Sequence, residues 1–489
     1  MTITDTRRAK LARPDLLRAQ AYYGGGWRSA LSGETIAVVD PFSGETLANV
    51  ASIGEGEIHA AITAAQGAFP AWSRAPHRER GALLRRWLEL IERDKEDLAR
   101  LITLENGKTL KEARGEVAYG AAFIEVYAEA AGSILGEILP PNMPGRSLLV
   151  EREPIGVCAA ITPWNFPMAM LTRKIAPALA AGCTIVCKPA SETPLTALAL
   201  AALAEEAGVP PGVLSVVVSA PALFGDIVTA SSIVRKITFT GSTGVGARLM
   251  AASAPTIKRL SLELGGNAPL LVFDDADLDV AVETAMVAKF RNGGQSCIAA
   301  NRIYVQRGIY EAFLAAFQAR VATLKIGDGL DAQTDIGPLI SARAVEKVER
   351  HLDEALEGGA RLLAGGKSGG GLLSPATLLG DVAPDALLTR EETFGPLAGV
   401  IPFESYEQGI AMANDTPFGL AAYICATDRR TIARAGRDLE TGMVGVNTGL
   451  ISTAAAPFGG VKLSGIGREG SHHGLSEYLS YKYLCHAGL

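Results

Sequence analysis

Apolar positions change their spacing twice along the chain. From Pro76 to about Ile134, Leu83, Leu84, Trp87, Leu88, Leu90 and Ile91 recur at three- and four-residue steps with arginines and glutamates between them. That period predicts surface helices packed on a core. From 156 onward, short β-branched or apolar runs (157–162, 184–188, 214–219, 236–240) alternate with Ala- and Leu-rich helical stretches, and a second series follows at 268–273, 302–306, 399–403, 420–427 and 444–447. Such alternation predicts βαβ units, hence an α/β protein with two doubly wound parallel-sheet domains. A proline-rich turn at 139–144 leads into a strand pattern at 147–152, and Tyr478, Leu479, Tyr481, Tyr483 and Leu484 give the last fifteen residues a strand pattern too. Two isolated strands cannot bury themselves, so they are expected to pair as a small β arm that meets another subunit. The glycine-rich stretch 365–371 lacks phosphate-loop spacing and reads as a flexible surface loop.

At 489 residues the chain is long enough for roughly three domains of about 150 residues. Hydrophobic residues at 48% and charged residues at 20% exclude wholesale disorder and fibrous structure. The 46 basic and 52 acidic side chains give a net charge of −6 with no basic cluster, which argues against nucleic acid and anionic membranes as partners. The most apolar stretches, 175–187 and 195–203, fall short of the ~20 residues a membrane helix needs, and the first contains Pro177 and Gly182. Arg7, Arg8 and Arg13 are interrupted by Asp5 and Asp15 and precede no apolar run, so a cytoplasmic start is expected. Six cysteines without a CxxC pair fit a reducing compartment, and six histidines without HExxH or a Cys/His cluster give no metal site.

Five segments could carry chemistry. Cys297, in Phe290-Arg-Asn-Gly-Gly-Gln-Ser-Cys-Ile298, is either an inert thiol or a nucleophile; Gly293 and Gly294 allow the tight turn that presenting a thiolate would need. A thiolate adding to a carbonyl carbon makes an alkoxide, which calls for amide donors. Asn165, in the rigid corner Thr162-Pro-Trp-Asn-Phe-Pro167 after a strand, is such a donor or else a helix cap. Glu263, in an apolar segment ending in Gly265 and Gly266, is a structural ion-pair partner or a general base whose pKa burial has raised. The turn Phe239-Thr-Gly-Ser-Thr-Gly-Val-Gly246 follows a strand and opens a helix, where amides can receive phosphate, although its spacing is not GxGxxG. Lys188, ending another strand, is a ribose or 2′-phosphate contact or a plain surface lysine.

Together the motifs TPWNFP, KPASETP, FTGSTGVG, LELGGN, GQSC, EETFGP (391–396) and PFGGVKLSGIGREG (457–470) resemble the aldehyde dehydrogenase superfamily, in family order from about residue 20 to the carboxyl terminus. The resemblance implies Cys297 as nucleophile, Asn165 and the Cys297 amide as oxyanion donors, Glu263 as the base for thioester hydrolysis, and Lys174 and Glu469 in proton relay. It implies Lys188 and Ser191 at the adenosine ribose, Gly241 and Ser242 at the pyrophosphate, Glu392 at the nicotinamide ribose and Phe394 beside the nicotinamide, with Thr162, Trp164, Ala190 and Leu264 also against the cofactor. It further implies a cofactor-binding domain (1–133 and 153–262), a catalytic domain (263–455) and an oligomerisation arm (134–152 and 470–489) in a homo-oligomer, a tetramer built as a dimer of dimers.

NAD-preferring members often carry a glutamate where Ser191 stands, and a carboxylate there would repel a 2′-phosphate; with serine, NADP⁺ is expected to be preferred and NAD⁺ accepted. Arg173 lies eight residues after Asn165 and Arg291 six residues before Cys297, and two guanidinium groups near one thiol suggest a substrate carboxylate, unless either is a structural ion-pair arginine. The TRK, FRN and GLIS patterns are most similar to succinate-semialdehyde dehydrogenases, which adds Ser452 as a third carboxylate contact. The expected reaction is NAD(P)⁺-dependent oxidation of a short ω-oxo acid, succinate semialdehyde first. Glutarate semialdehyde or a broader aldehyde range is the alternative, since one methylene is worth only about 1–3 kcal/mol. The presence of Glu263 favours hydrolysis over transfer to coenzyme A. Ala299, two residues after the thiol, excludes a disulfide switch at that position. A non-catalytic protein on the same fold is the contrasting expectation, and Cys297, Asn165 and Glu263 together argue against it.

Overall fold

The structure, a computed structural model, describes residues 11–487; Arg7 and Arg8 of the amino-terminal reading lie outside them. Its first sheet runs Gly26–Arg28, Ala21–Tyr23, Leu214–Val216, Thr184–Lys188, Val157–Ile161, Val234–Thr240, Arg259–Glu263, Gly465–Ile466. The five strands from Leu214–Val216 to Arg259–Glu263 are parallel, and the outer ones are antiparallel. The chain winds outward from Val157–Ile161 in one direction and then returns to start again beside it at Val234–Thr240. That reversal leaves a crevice at the carboxyl ends of the two strands, where ligands of doubly wound sheets bind.

Burial on both faces explains why these strands read as unbroken apolar runs. Thr184–Lys188 is buried at every position. The crossover helix Ala169–Ala181 is likewise buried at every position and stops at Gly182, whose φ of 95° suits a left-handed terminus. The helical pattern at 76–134 becomes His77–Arg93, Lys95–Asn106 and Leu110–Ala130. Gly107, at φ 90°, ends the second of these, and the Thr109–Glu112 capping box starts the third.

The second sheet runs Arg361–Ala364, Thr377–Gly380, Leu397–Phe403, Ala300–Gln306, Ala268–Val272, Ala421–Cys425, Met443–Val446, and all pairs are parallel except the outermost first one. The stretch 365–371 is the loop between its two outermost strands, as the sequence suggests. In the arm, Leu479–Ala487 pairs antiparallel with Arg146–Pro154, setting Tyr481 opposite Arg152, and Glu137–Leu139 adds a third strand. Ile138, Tyr481 and Tyr483 are exposed on it. The described part of the segment 470–489 divides in two: Leu475, Tyr478 and Leu479 are buried in the core around the first sheet, and the strand projects only beyond Leu479. Among the described residues, no helix is long and apolar enough to cross a membrane, and no group of three His, Cys, Asp or Glu side chains could hold a metal ion.

Candidate active site

A cavity of about 430 Å³ opens where the strand ends of the two sheets face each other. Asn165, Arg173, Glu263, Arg291, Cys297 and Ser452 all line it, as do Trp164, Gly241, Ser242, Leu264, Glu392 and Phe394. Thr162, Lys174, Lys188, Ala190, Ser191 and Glu469 do not lie on its wall.

Cys297 is set by the turn between helix Leu278–Phe290 and strand Ala300–Gln306. Asn292, Gly293 and Gly294 are left-handed in succession (φ 55°, 59° and 72°). A β-carbon at Gly294 would stand 2.2 Å from the Gly395 carbonyl oxygen, so only glycine fits there. The Gln295 carbonyl accepts from Asn165 Nδ2 and from Asn292 Nδ2, each at 3.1 Å, which ties the cysteine turn to the Asn165 corner. Burial pushes the half-buried Cys297 thiol up to about 12; the Arg173 guanidinium opposes this, and the Glu392 and Glu263 carboxylates add to it.

Asn165 caps no helix: the residue flanking Ala169–Ala181 is Met168, and the side chain that accepts from the amides at that end is Glu116. Its amide has two N–H donors and spends one on Gln295, so a second is left for the cavity. Glu263 is the last residue of its strand, paired with Thr240 on one side and Gly465 on the other. Both of its oxygens are buried without a partner. Burial, reinforced by the charge of Glu469, holds this carboxyl well above the usual carboxylate range.

Glu469 presents one oxygen to Arg173 Nε and the other to Lys174 Nζ, and Lys174 also donates to Thr240 Oγ1 at 2.7 Å. The Lys174–Glu469 pair therefore stands behind the cavity wall. Arg173 is fully buried, with its guanidinium 4.6 Å from the Phe458 ring centre, and only Nη1 is free of both Glu469 and Thr240. Arg291 differs: it is half-buried over the Phe166 ring at 5.3 Å, and among the described residues no carboxylate pairs with it.

The other part of the cavity fits a dinucleotide. Helix Thr243–Ser253 begins at the switch-point crevice; the Ser242 side chain does not cap it and the Ser242 carbonyl takes the Val245 and Gly246 amides, which leaves those of Thr243 and Gly244 toward a phosphate. Gly246 lies so close to Leu264 that a β-carbon would stand 2.4 Å from it, which brings the helix down onto the sheet. Beyond the cavity wall, Thr162 Oγ1 is buried without a partner, and Lys188 is buried with its ammonium on the Pro189 carbonyl (3.0 Å) and its pKa held down to about 8 by desolvation. Glu392 accepts from the Gly266 amide at 3.2 Å, and burial lifts it to about 7. Phe394, at φ 57°, meets Trp164 edge-on at 5.5 Å.

Sequence reasoning missed several wall residues. Tyr119 reads as one more apolar position of Leu110–Ala130, and Arg343 and Lys347 lie on Ala342–Glu357, whose amphipathic pattern is that of any surface helix. No local motif marks them.

Comparison with known proteins adds independent findings. The model of the aldehyde dehydrogenase family matches residues 27–484. A Pseudomonas aeruginosa protein named glutarate-semialdehyde dehydrogenase is 53% identical over 97% of this chain and 99% of its own. An Escherichia coli protein named succinate-semialdehyde dehydrogenase [NADP(+)] is 53% identical over 97% of this chain and 99% of its own. A solved structure of succinate-semialdehyde dehydrogenase from Burkholderia pseudomallei superposes with a TM-score of 0.97 at 52% identity, covering 98% of this chain and 100% of that one.

Proposed function

Because the chain belongs to the aldehyde dehydrogenase family, an NAD(P)-dependent oxidoreductase family, we propose that it oxidises short ω-oxo acids, succinate semialdehyde first and glutarate semialdehyde second, with NADP⁺ preferred. The observation that carries the substrate class is Arg291, a guanidinium on the same cavity wall as Cys297 that has no acidic partner among the described residues. A free guanidinium offers a carboxylate a bidentate fork, and Ser452 on the same wall adds a hydroxyl. Arg173 contributes only Nη1, since Glu469 occupies its Nε.

In this reading the Cys297 thiolate adds to the aldehyde carbon, and the developing alkoxide accepts from the second Asn165 N–H and from the Cys297 amide. A bound nicotinamide would supply the hydride acceptor for the former aldehyde carbon. The first-turn amides of Thr243–Ser253 and the Gly241–Ser242 turn would hold the pyrophosphate. Glu392 would hold the ribose next to the nicotinamide, and Phe394 and Trp164 would bound the ring. Lys188 and Ser191 would hold the adenosine ribose, with Thr162, Ala190 and Leu264 also against the cofactor. Ser191 places no carboxylate against a 2′-phosphate, which supports NADP⁺, with NAD⁺ also accepted. Glu263, as the carboxylate, takes a proton from the water that hydrolyses the thioester, and the burial that raises its pKa makes it the stronger base. Lys174 and Glu469 would pass that proton on from behind the wall. Assembly into a tetramer through the apolar arm, in the cytoplasm, belongs to the same reading.

The test is steady-state kcat/KM for succinate semialdehyde, glutarate semialdehyde and butanal with each coenzyme. The two acids are expected to exceed butanal by at least about tenfold, the worth of one charge-assisted hydrogen bond, and to do so with NADP⁺ ahead of NAD⁺. Butanal turned over as well as the acids would overturn the substrate class.

A further inference from the structure

Asn165 acts in the cavity through its side chain, yet its main chain is held by a charged cluster outside the cavity. Lys108 follows helix Lys95–Asn106, and its side chain is 0% exposed. Its ammonium donates to Glu116 Oε2 at 2.6 Å and to the Asn165 carbonyl at 2.7 Å, and it lies 4.0 Å from the centre of the Phe166 ring. The other oxygen of Glu116 accepts from the amides of Met168 (2.8 Å) and Ala169 (3.3 Å), capping the start of a helix whose own flanking residue, Met168, supplies no side-chain cap. The pair therefore grips the 165–169 corner at both ends.

Neighbouring groups extend the grip. Asn106 Nδ2 donates to the Trp164 carbonyl at 3.0 Å, and Glu112 Oε1 accepts from the Asn292 amide at 2.6 Å, in the turn that carries Cys297. Asn292 Nδ2 is the second donor to the Asn165 carbonyl, at 3.0 Å. The backbone beneath Lys108 is itself fixed: a β-carbon at Gly337 would lie 1.9 Å from the Gly107 carbonyl oxygen, and one at Gly329 would lie 2.4 Å from that of Lys108. A fully buried ion pair adds little net stability, because desolvation offsets its attraction, whereas it does fix geometry. A fully buried lysine whose charge Glu116 balances and whose other bond goes to the Asn165 carbonyl is placed to set where Asn165 stands.

We propose that Lys108, with Glu116 as its counter-charge, is the positioning residue that aims the Asn165 amide at the oxyanion formed on the aldehyde carbon. This rests on the reading of Asn165 as an oxyanion donor.

The test compares the full-length wild-type enzyme with Asn165→Ala, with Lys108→Arg and with the double variant Lys108→Met/Glu116→Gln, which removes both charges while leaving an acceptor for the 168–169 amides. Asn165→Ala is expected to lose about 10²–10³ in kcat, as removal of one oxyanion donor does. The double variant is expected to lose at least about tenfold in kcat, with KM for succinate semialdehyde and Kd for NADP⁺ within about threefold of wild type, since uniform binding is untouched. Alkylation of Cys297 by iodoacetamide forms no oxyanion, so its rate is expected to stay within about twofold. Wild-type kcat in the folded double variant, with Asn165→Ala impaired, would overturn the positioning role, as would kcat and alkylation falling together. An unimpaired Asn165→Ala enzyme would overturn the donor reading and the proposal with it. If the double variant does not fold, Lys108→Arg, which keeps the charge and moves the donor, carries the same comparison.

Discussion

Gly266 and Cys297 meet backbone to backbone: a β-carbon at Gly266 would stand 2.3 Å from the Cys297 carbonyl oxygen. On the other side, Leu420 Cβ lies 3.3 Å from the same position, and the Gly266 amide is committed to Glu392. Neither obstacle is the loose end of a flexible side chain, so an added methyl must displace the peptide that carries the thiol. Gly266→Ala is therefore expected to cost about 1–3 kcal/mol by overpacking and to lower kcat by about 10²-fold, the penalty for misplacing a reacting group by about 1 Å. Thermal melts and steady-state turnover measure the two effects separately. A Gly266→Ala enzyme with the wild-type rate would mean that the turn yields without moving the sulfur.

The two arginines are expected to fail differently. Arg173→Ala strips one partner from Glu469, a buried carboxylate also held by Lys174, and breaking a buried pair in this way costs about 3–5 kcal/mol. Arg291 is half-buried, and its visible partner is the Phe166 ring, worth about 0.5–1 kcal/mol. Arg291→Ala should therefore stay folded with a nearly unchanged melting temperature and lose about 10- to 100-fold in kcat/KM for succinate semialdehyde, the worth of a charge-assisted hydrogen bond. Its butanal turnover should be unchanged. Equal losses on both substrates would assign Arg291 to shaping the cysteine turn rather than to the substrate.

What could be read in the sequence follows from how local each signal is. Strands buried on both faces, such as Thr184–Lys188, announce themselves as apolar runs, and their alternation with helices gave the fold class. Arg361–Ala364 and Thr377–Gly380 are four-residue strands on either side of a glycine-rich loop, too short for any period to show. The site divides in the same way. Cys297, Asn165 and Glu263 sit in motifs bounded by glycine or proline because the backbone there must turn sharply or pack closely. Lys108 acts across 57 residues from the short connection between two helices, and Tyr119 acts from an ordinary helical position, so no local motif ties either to the site. The Arg173–Glu469 contact, which decides how much of Arg173 is free for a substrate, joins residues almost 300 positions apart.

The buried acids set the pH behaviour. With the Cys297 thiol at about 12, the thiolate is a small fraction of the total throughout the ordinary working range. Its alkylation by iodoacetamide in the absence of coenzyme should then rise about tenfold per pH unit from about pH 6.5 to 9.5 without levelling off, because the rate follows the thiolate. A plateau below pH 9 would show that Arg173 outweighs burial at the sulfur. Glu263 gives the matching stability signature. Its folded pKa is raised, so the favourable protonated state is fully present below the unfolded carboxyl value near 4.5 and is lost as pH rises through the folded value. Glu263→Gln never pays that penalty, whereas near pH 4 both side chains are neutral in the folded and unfolded states alike. The variant should accordingly melt above wild type at pH 8 and together with it near pH 4. Its turnover should stall after one equivalent of reduced coenzyme per subunit, since the thioester then lacks its base. A melting difference that persists unchanged at pH 4 would trace the effect to packing instead of to the buried charge.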